Sequence, residues 1–202
     1  MIKAITFDLD GVYFPNGKAT FIKALQELGV SEAEAKRVFL KSDEMNLRYK
    51  LGTMSDEEYW TWASKEWGLS LSPQELIDLL INSYAVDPQV EKIVQTAHKR
   101  DYKTLICTNN FPARIKGLQA KFGFLDNFDV IILSYEVGAV KPSEEIFNEL
   151  VKQSGLPAPS IVFADDDEQA VAGASKVGIT TFLYDGFDGF IQHLKQLGVE
   201  LT

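Results

Sequence analysis

The chain of 202 residues has one cysteine, two histidines and no long apolar run. Cys107 has no second cysteine to pair with, so no internal disulfide forms and a reducing, cytoplasmic setting is expected. His98 and His193 fall on predicted helices without an acidic or cysteine partner at ligand spacing, which argues against a histidine metal site. The longest uncharged stretch, Gln153 to Ala164, is interrupted by Pro157 and Pro159. It falls short of the roughly 18 to 20 apolar residues that cross a bilayer. Lys3, Asp8 and Asp10 near the N-terminus are unlike a secretory leader. Positive charge is scarce as well: 20 Lys and Arg against 29 Asp and Glu give a net charge of −9. That balance excludes a broad attraction to nucleic acid or an anionic membrane. A small anion would have to be held by a few local cations or by a metal.

What is present is ordinary for a globular chain, with 46% hydrophobic and 24% charged residues. The length predicts about one domain with a modest insertion, large enough to bury a core unaided. Five short apolar runs without strict alternation read as strands covered on both faces: Ile2–Phe7, Thr104–Thr108, Val130–Leu133, Ile161–Ala164 and Thr180–Tyr184. Helical stretches separate the later ones: one opening at Asp87-Pro88, then Pro112–Phe122, Pro142–Ser154, Ala170–Val177 and Phe187–Leu197. This alternation predicts a Rossmann-like, doubly wound α/β fold with a parallel sheet.

The stretch after the first strand differs. Lys18–Leu28 has an amphipathic helical pattern closed by Gly29. Ser31-x-x-Glu34, Ser55-x-x-Glu58 and Ser72-Pro-x-Glu75 are three capping-box signatures. Tyr59, Trp60, Trp62 and Trp67 are expected to form a small core there. The predicted organisation is a core of residues 1–14 and 87–202 with an inserted α-helical cap of residues 15–86.

Four small signals fall at the C-terminal ends of strands or in the loop that follows, along the edge where open α/β sheets bind ligands. They are Asp8-Leu9-Asp10-Gly11, Thr108-Asn109, Lys141-Pro142 and Asp165-Asp166-Asp167. Taken singly each has an ordinary structural reading: a turn, a strand-end hydroxyl, a solvated cation, a helix-start acid cluster. Together they carry what phosphoryl transfer to a carboxylate needs. Like charges about 4 Å apart repel by roughly 4 kcal/mol at an effective dielectric near 20, so an aspartate attacking a phosphate needs a cation beside it. Magnesium takes oxygen ligands, which Asp8, Asp166 and the Asp10 carbonyl could supply, with Asp165 holding a bound water. Asp8 is the expected nucleophile and Asp10 the acid and base. Lys141, Thr108 and the Asn109 N–H would hold the phosphate, and Gly11 allows the tight backbone path. Arg48 and Lys50 of the insertion read first as solvated cations, with contact of one of them to the leaving group as the alternative.

The four signals, in this order and spacing, resemble the haloacid dehalogenase-like hydrolase superfamily. The helical insertion resembles the cap of its phosphoglycolate phosphatase and β-phosphoglucomutase subgroup. The resemblance implies bound Mg2+ and an aspartyl-phosphate at Asp8. It implies a phosphatase acting on a small phosphorylated metabolite; a phosphosugar mutase would use the same intermediate. The dehalogenases lack the second aspartate, so Asp10 disfavours their reaction. Relatives often carry asparagine where this chain has Ala170, a position that supports the loop and supplies no metal ligand. A phospho-accepting signalling module is disfavoured by the Asp8-x-Asp10 spacing and the size of the insertion.

Overall fold

A computed structural model describes residues 1–201. The strands are β1 (Ala4–Phe7), β2 (Lys103–Thr108), β3 (Val130–Leu133), β4 (Ile161–Asp165) and β5 (Thr180–Leu183). All are parallel, in the order β3-β2-β1-β4-β5. The chain steps outward one way from β1 through β2 and β3, then returns to its other side for β4 and β5. This reversal beside β1 creates the crevice where doubly wound sheets place their ligands.

Side chains alternate between two cores because successive strand residues point to opposite faces. Ile5, Phe7, Ile106, Val162 and Ala164 join one apolar cluster with α5 (Pro88–Lys99), α6 (Pro112–Phe122) and α10 (Phe187–Gln196). Ala4, Leu105, Cys107, Ile161 and Phe163 join the other, under α7 (Ser134–Val137), α8 (Glu144–Ser154) and α9 (Glu168–Lys176). Cys107 is thus a buried strand residue, and burial pushes its thiol up to about 12.

Between β1 and α5 the described structure is helical: α1 (Gly17–Glu27), α2 (Glu32–Lys36), α3 (Asp56–Glu66) and α4 (Pro73–Asn82). Ser55 and Ser72 close complete capping boxes with Glu58 and Glu75. Ser31 caps Glu34 N–H, but the Glu34 carboxylate turns instead to Arg37 at 2.9 Å. The helix begun there widens into π-helical turns over Arg37–Lys41 and Glu44–Tyr49, on either side of an extended Ser42. Trp60 and Trp67 pack edge-on against Phe21, and Trp60 packs likewise against Phe111 at the start of α6. The two crossings of the chain lie side by side, since Asp87 N–H donates to Tyr13 O at 3.0 Å. Among the described residues, no helix is long and apolar enough to cross a membrane.

Candidate active site

Sheet register builds the centre of the site. Phe7 pairs with Ala164, so the next residues, Asp8 and Asp165, stand beside each other at the strand ends. Lys141 bridges them: its ammonium lies 2.9 Å from Asp8 Oδ1 and 2.5 Å from Asp165 Oδ2. All three side chains are almost fully buried. Burial disfavours the Lys141 charge, but the two carboxylates outweigh it and hold the ammonium protonated far above its ordinary range.

Lys141 sits in a loop, yet it is held like a strand residue. Asn109 accepts from Lys141 N–H at 2.7 Å and donates to Lys141 O at 3.0 Å. The Asn109 side chain, expected near phosphate only through its backbone, is therefore occupied in clamping the lysine. Thr108, one residue earlier, buries a hydroxyl that has no protein partner. A buried polar group normally finds one; the Thr6 hydroxyl in β1 lacks one as well, and Thr108 is not among the residues that line the cavity described below.

Asp166 completes a carboxylate cluster. Asp8, Asp165 and Asp166 each offer an oxygen, and these lie within 4.8 Å of one another. Burial and the neighbouring Asp8 push both Asp165 and Asp166 up from the ordinary aspartate range. A hard cation would reverse that cost, and an all-oxygen donor set of this size fits magnesium. Gly11 permits the arrangement: its φ is +81°, and a side-chain carbon there would meet Asp166 Oδ2 at 2.2 Å. Asp167 caps α9, accepting from Gln169 N–H at 2.8 Å.

Asp10 lies on the same rim. Arg114 Nη2 donates to its Oδ2 at 2.7 Å and Lys18 Nζ lies 3.1 Å from that oxygen. Burial works to raise Asp10, but Arg114 and Lys18 prevail and hold the carboxyl at about 2. Arg114 carries no motif signal in the sequence and was not among the expected site residues. It is one basic residue on an amphipathic helix, and only the fold brings it to Asp10.

These groups surround a cavity of about 200 Å³, lined by Asp8, Asp10, Lys18, Lys50, Asn109, Lys141, Asp165, Asp166, Asp167 and Ala170. Its lining is almost wholly polar. Of the two insertion cations, Arg48 is solvent-exposed and outside this lining, while Lys50 is within it. Two residues along a helical turn point to nearly opposite sides. Lys50 is placed by Ser134, whose Oγ donates to Lys50 O at 2.7 Å, and its ammonium donates to Asn46 Oδ1 at 2.9 Å. Burial, with Lys18 and Arg114 nearby, lowers Lys50 to about 7. Neither histidine is at the site: His98 lies 3.6 Å from Asp129, and His193 stacks on Phe182.

A parallel sheet with carboxylates and a lysine gathered at its switch point, and helices inserted after its first strand, defines a Rossmann-like α/β protein with a polar, carboxylate-rich cavity at its strand ends. The chain belongs to the haloacid dehalogenase-like hydrolases, matching that family over residues 2–178. It is 23% identical over 204 residues to a ribulose-1,5-bisphosphate 5-phosphatase of Halopiger xanaduensis, covering 92% of this chain and 85% of that one. It is likewise 23% identical over 194 residues to a D-ribitol-5-phosphate phosphatase of Bacteroides thetaiotaomicron, covering 90% and 91%. Among solved structures, a HAD family enzyme from Bacteroides thetaiotaomicron in complex with magnesium and inorganic phosphate matches with a TM-score of 0.74 and 20% identity. That match covers 94% of this chain and 99% of the other.

Proposed function

We propose that this protein is a magnesium-dependent phosphatase that removes phosphate from a small phosphomonoester. The observation that carries the reading is the buried trio of Asp8, Lys141 and Asp165 beside Asp166, at the end of β1. Asp8, Asp166 and the Asp10 carbonyl would hold the magnesium, with Asp165 supporting it from behind. Bound there, the ion supplies the positive charge that lets a carboxylate approach a phosphate.

The protein's own groups perform the transfer. A carboxylate oxygen of Asp8 forms a bond to phosphorus as the ester P–O bond breaks. Its electron pair stays with the leaving oxygen, which takes a proton from the Asp10 carboxyl. Water then attacks the aspartyl-phosphate, its proton passing to Asp10, and the Asp8–phosphorus bond breaks to restore the carboxylate. In the free protein Asp10 is ionised, the form the second step requires. An arriving phosphate raises it by like-charge repulsion, toward the form the first step requires. Lys141 and the Thr108 hydroxyl hold the phosphoryl oxygens.

The leaving group is small and polar. The cavity opens to solvent and its lining is almost wholly polar, which suits a phosphate on a short, oxygen-rich skeleton. Lys50 and Lys18, on the cap side, would bind its oxygens. The phosphatases named above act on phosphorylated sugars and polyols, the chemical class such a lining suits. The helical segment 15–86 serves as the cap over this core. Lone, buried Cys107 is in keeping with a reducing cytoplasm.

The test is a panel of phosphorylated metabolites assayed with and without magnesium, with product analysis. Inorganic phosphate released only with magnesium, and lost in Asp8→Asn, is the expected result. An isomeric sugar phosphate without free phosphate would mean a mutase, and wild-type turnover by Asp8→Asn would remove the assignment.

A further inference from the structure

Asp10 is held by a cation that is itself held on every side. Arg114, in the first turn of α6, is 1% exposed. Its Nε donates to Asn110 Oδ1 at 2.7 Å, its Nη1 to the Tyr84 hydroxyl at 2.8 Å, and its guanidinium lies 4.8 Å over the Phe111 ring. Asn110 is anchored in turn, its N–H donating to Ser134 Oγ at 3.0 Å. Tyr84 is seated against the first crossing to the insertion, where a side-chain carbon on Gly17 would meet its ring at 2.2 Å. A buried guanidinium with its donors this fully assigned has one orientation.

The grip on Asp10 is unequal between its two oxygens. Oδ2 takes the short contacts, 2.7 Å from Arg114 and 3.1 Å from Lys18. Oδ1 takes only long ones, 3.3 Å from Arg114 and 3.4 Å from Tyr84. The guanidinium thus engages both oxygens, more tightly at Oδ2, which is also the oxygen beside Lys18 of the cavity lining. Proton transfer needs the transferring atom within about 2.6 to 3.2 Å of its target, so a fixed carboxylate edge matters to the rate.

We infer that Arg114 is a positioning residue for phosphoryl transfer: it grips both oxygens of Asp10 and fixes the carboxyl in one orientation, so that it exchanges the proton with the leaving oxygen and then with water. The inference rests on the reading of Asp10 as acid and base. A purely structural Arg114, tying α6 to the end of β1, would affect all substrates alike. A positioning Arg114 affects most the substrates whose leaving oxygen must be protonated.

The experiment compares kcat/KM, which covers the steps up to departure of the leaving group, on two esters with magnesium. One is an aryl phosphate whose phenolate departs without a proton; the other is an alkyl phosphate whose alkoxide needs one. Arg114→Lys keeps a charge but loses the fork. It is expected to lower kcat/KM on the alkyl ester by roughly tenfold or more beyond its loss on the aryl ester. Tyr84→Phe, which removes a brace on Arg114 and keeps the ring, is expected to show a smaller selective loss. It decides the matter if thermal melts show that Arg114→Lys does not fold. Equal losses on both esters, or none, in the folded variants would overturn the inference and leave the phosphatase reading standing. Wild-type protein releasing phosphate from neither ester would remove that reading, and the inference with it.

Discussion

A side-chain carbon on Gly11 would stand 2.2 Å from Oδ2 of Asp166. The glycine after Asp10 therefore makes room for a carboxylate that arrives from the end of β4, more than 150 residues later. Gly11→Ala is expected to turn Asp166 out of the cluster. Weakening of magnesium binding by about 10- to 100-fold follows, the range for losing support of a metal ligand. The φ of +81° adds a backbone cost of about 1 kcal/mol. Magnesium titration of activity and a thermal melt read the two effects separately; an unchanged magnesium dependence would contradict the packing argument.

The Asp10–Arg114 pair predicts a specific acid sensitivity. Asp10 is held at about 2, below the ordinary 3.8, because Arg114 and Lys18 outweigh its burial. A depressed folded-state value means the unfolded chain binds the proton more readily. The contribution is therefore present above pH 3.8 and is lost as pH falls through about 2. Its size is about 2 kcal/mol. Urea unfolding of wild type and Asp10→Asn, compared above and below that window, should show the difference closing as the solution is acidified. A gap that does not change with pH would count against the pair.

Lys50 gives a prediction of opposite sense. Its ammonium, lowered to about 7, is charged below that pH and neutral above it. An anionic substrate binds the charged form better, so KM should rise as pH passes upward through about 7. In Lys50→Met that rise should be flattened. For folding, the unfolded chain holds this proton up to 10.5, so stability contributed by Lys50 grows with pH between about 7 and 10.5. A KM profile identical in wild type and Lys50→Met would show that Lys50 does not meet the substrate.

Much of this architecture is legible in the chain because the signals are local. Val130–Leu133 is a strand in both readings since four apolar residues between Asp129 and Ser134 have few alternatives. Ser55 and Ser72 announce helix starts because a capping box is complete within four residues. The helix expected from Pro142 begins instead at Glu144, and that expected from Ala170 begins at Glu168, where Asp167 caps it. The π-helical turns over Arg37–Lys41 and Glu44–Tyr49 are not legible, because no residue pattern or cap marks a widened turn in the chain. The aspartates and Lys141 stand out because several chemical types recur at strand ends in one order. Arg114 does not, because its meaning depends on an aspartate 104 residues away. Lys50 and Arg48 are equivalent in sequence and separate only when the turn's direction is known.

The covalent step at Asp8 is the centre of the account. Wild-type protein quenched in acid during turnover of a phosphomonoester with magnesium, then digested and weighed by mass spectrometry, tests it most directly. One phosphoryl group on the peptide carrying Asp8, absent without magnesium and absent in Asp8→Asn, is the predicted result. A phosphoryl group on another residue, or full turnover by Asp8→Asn, would contradict it.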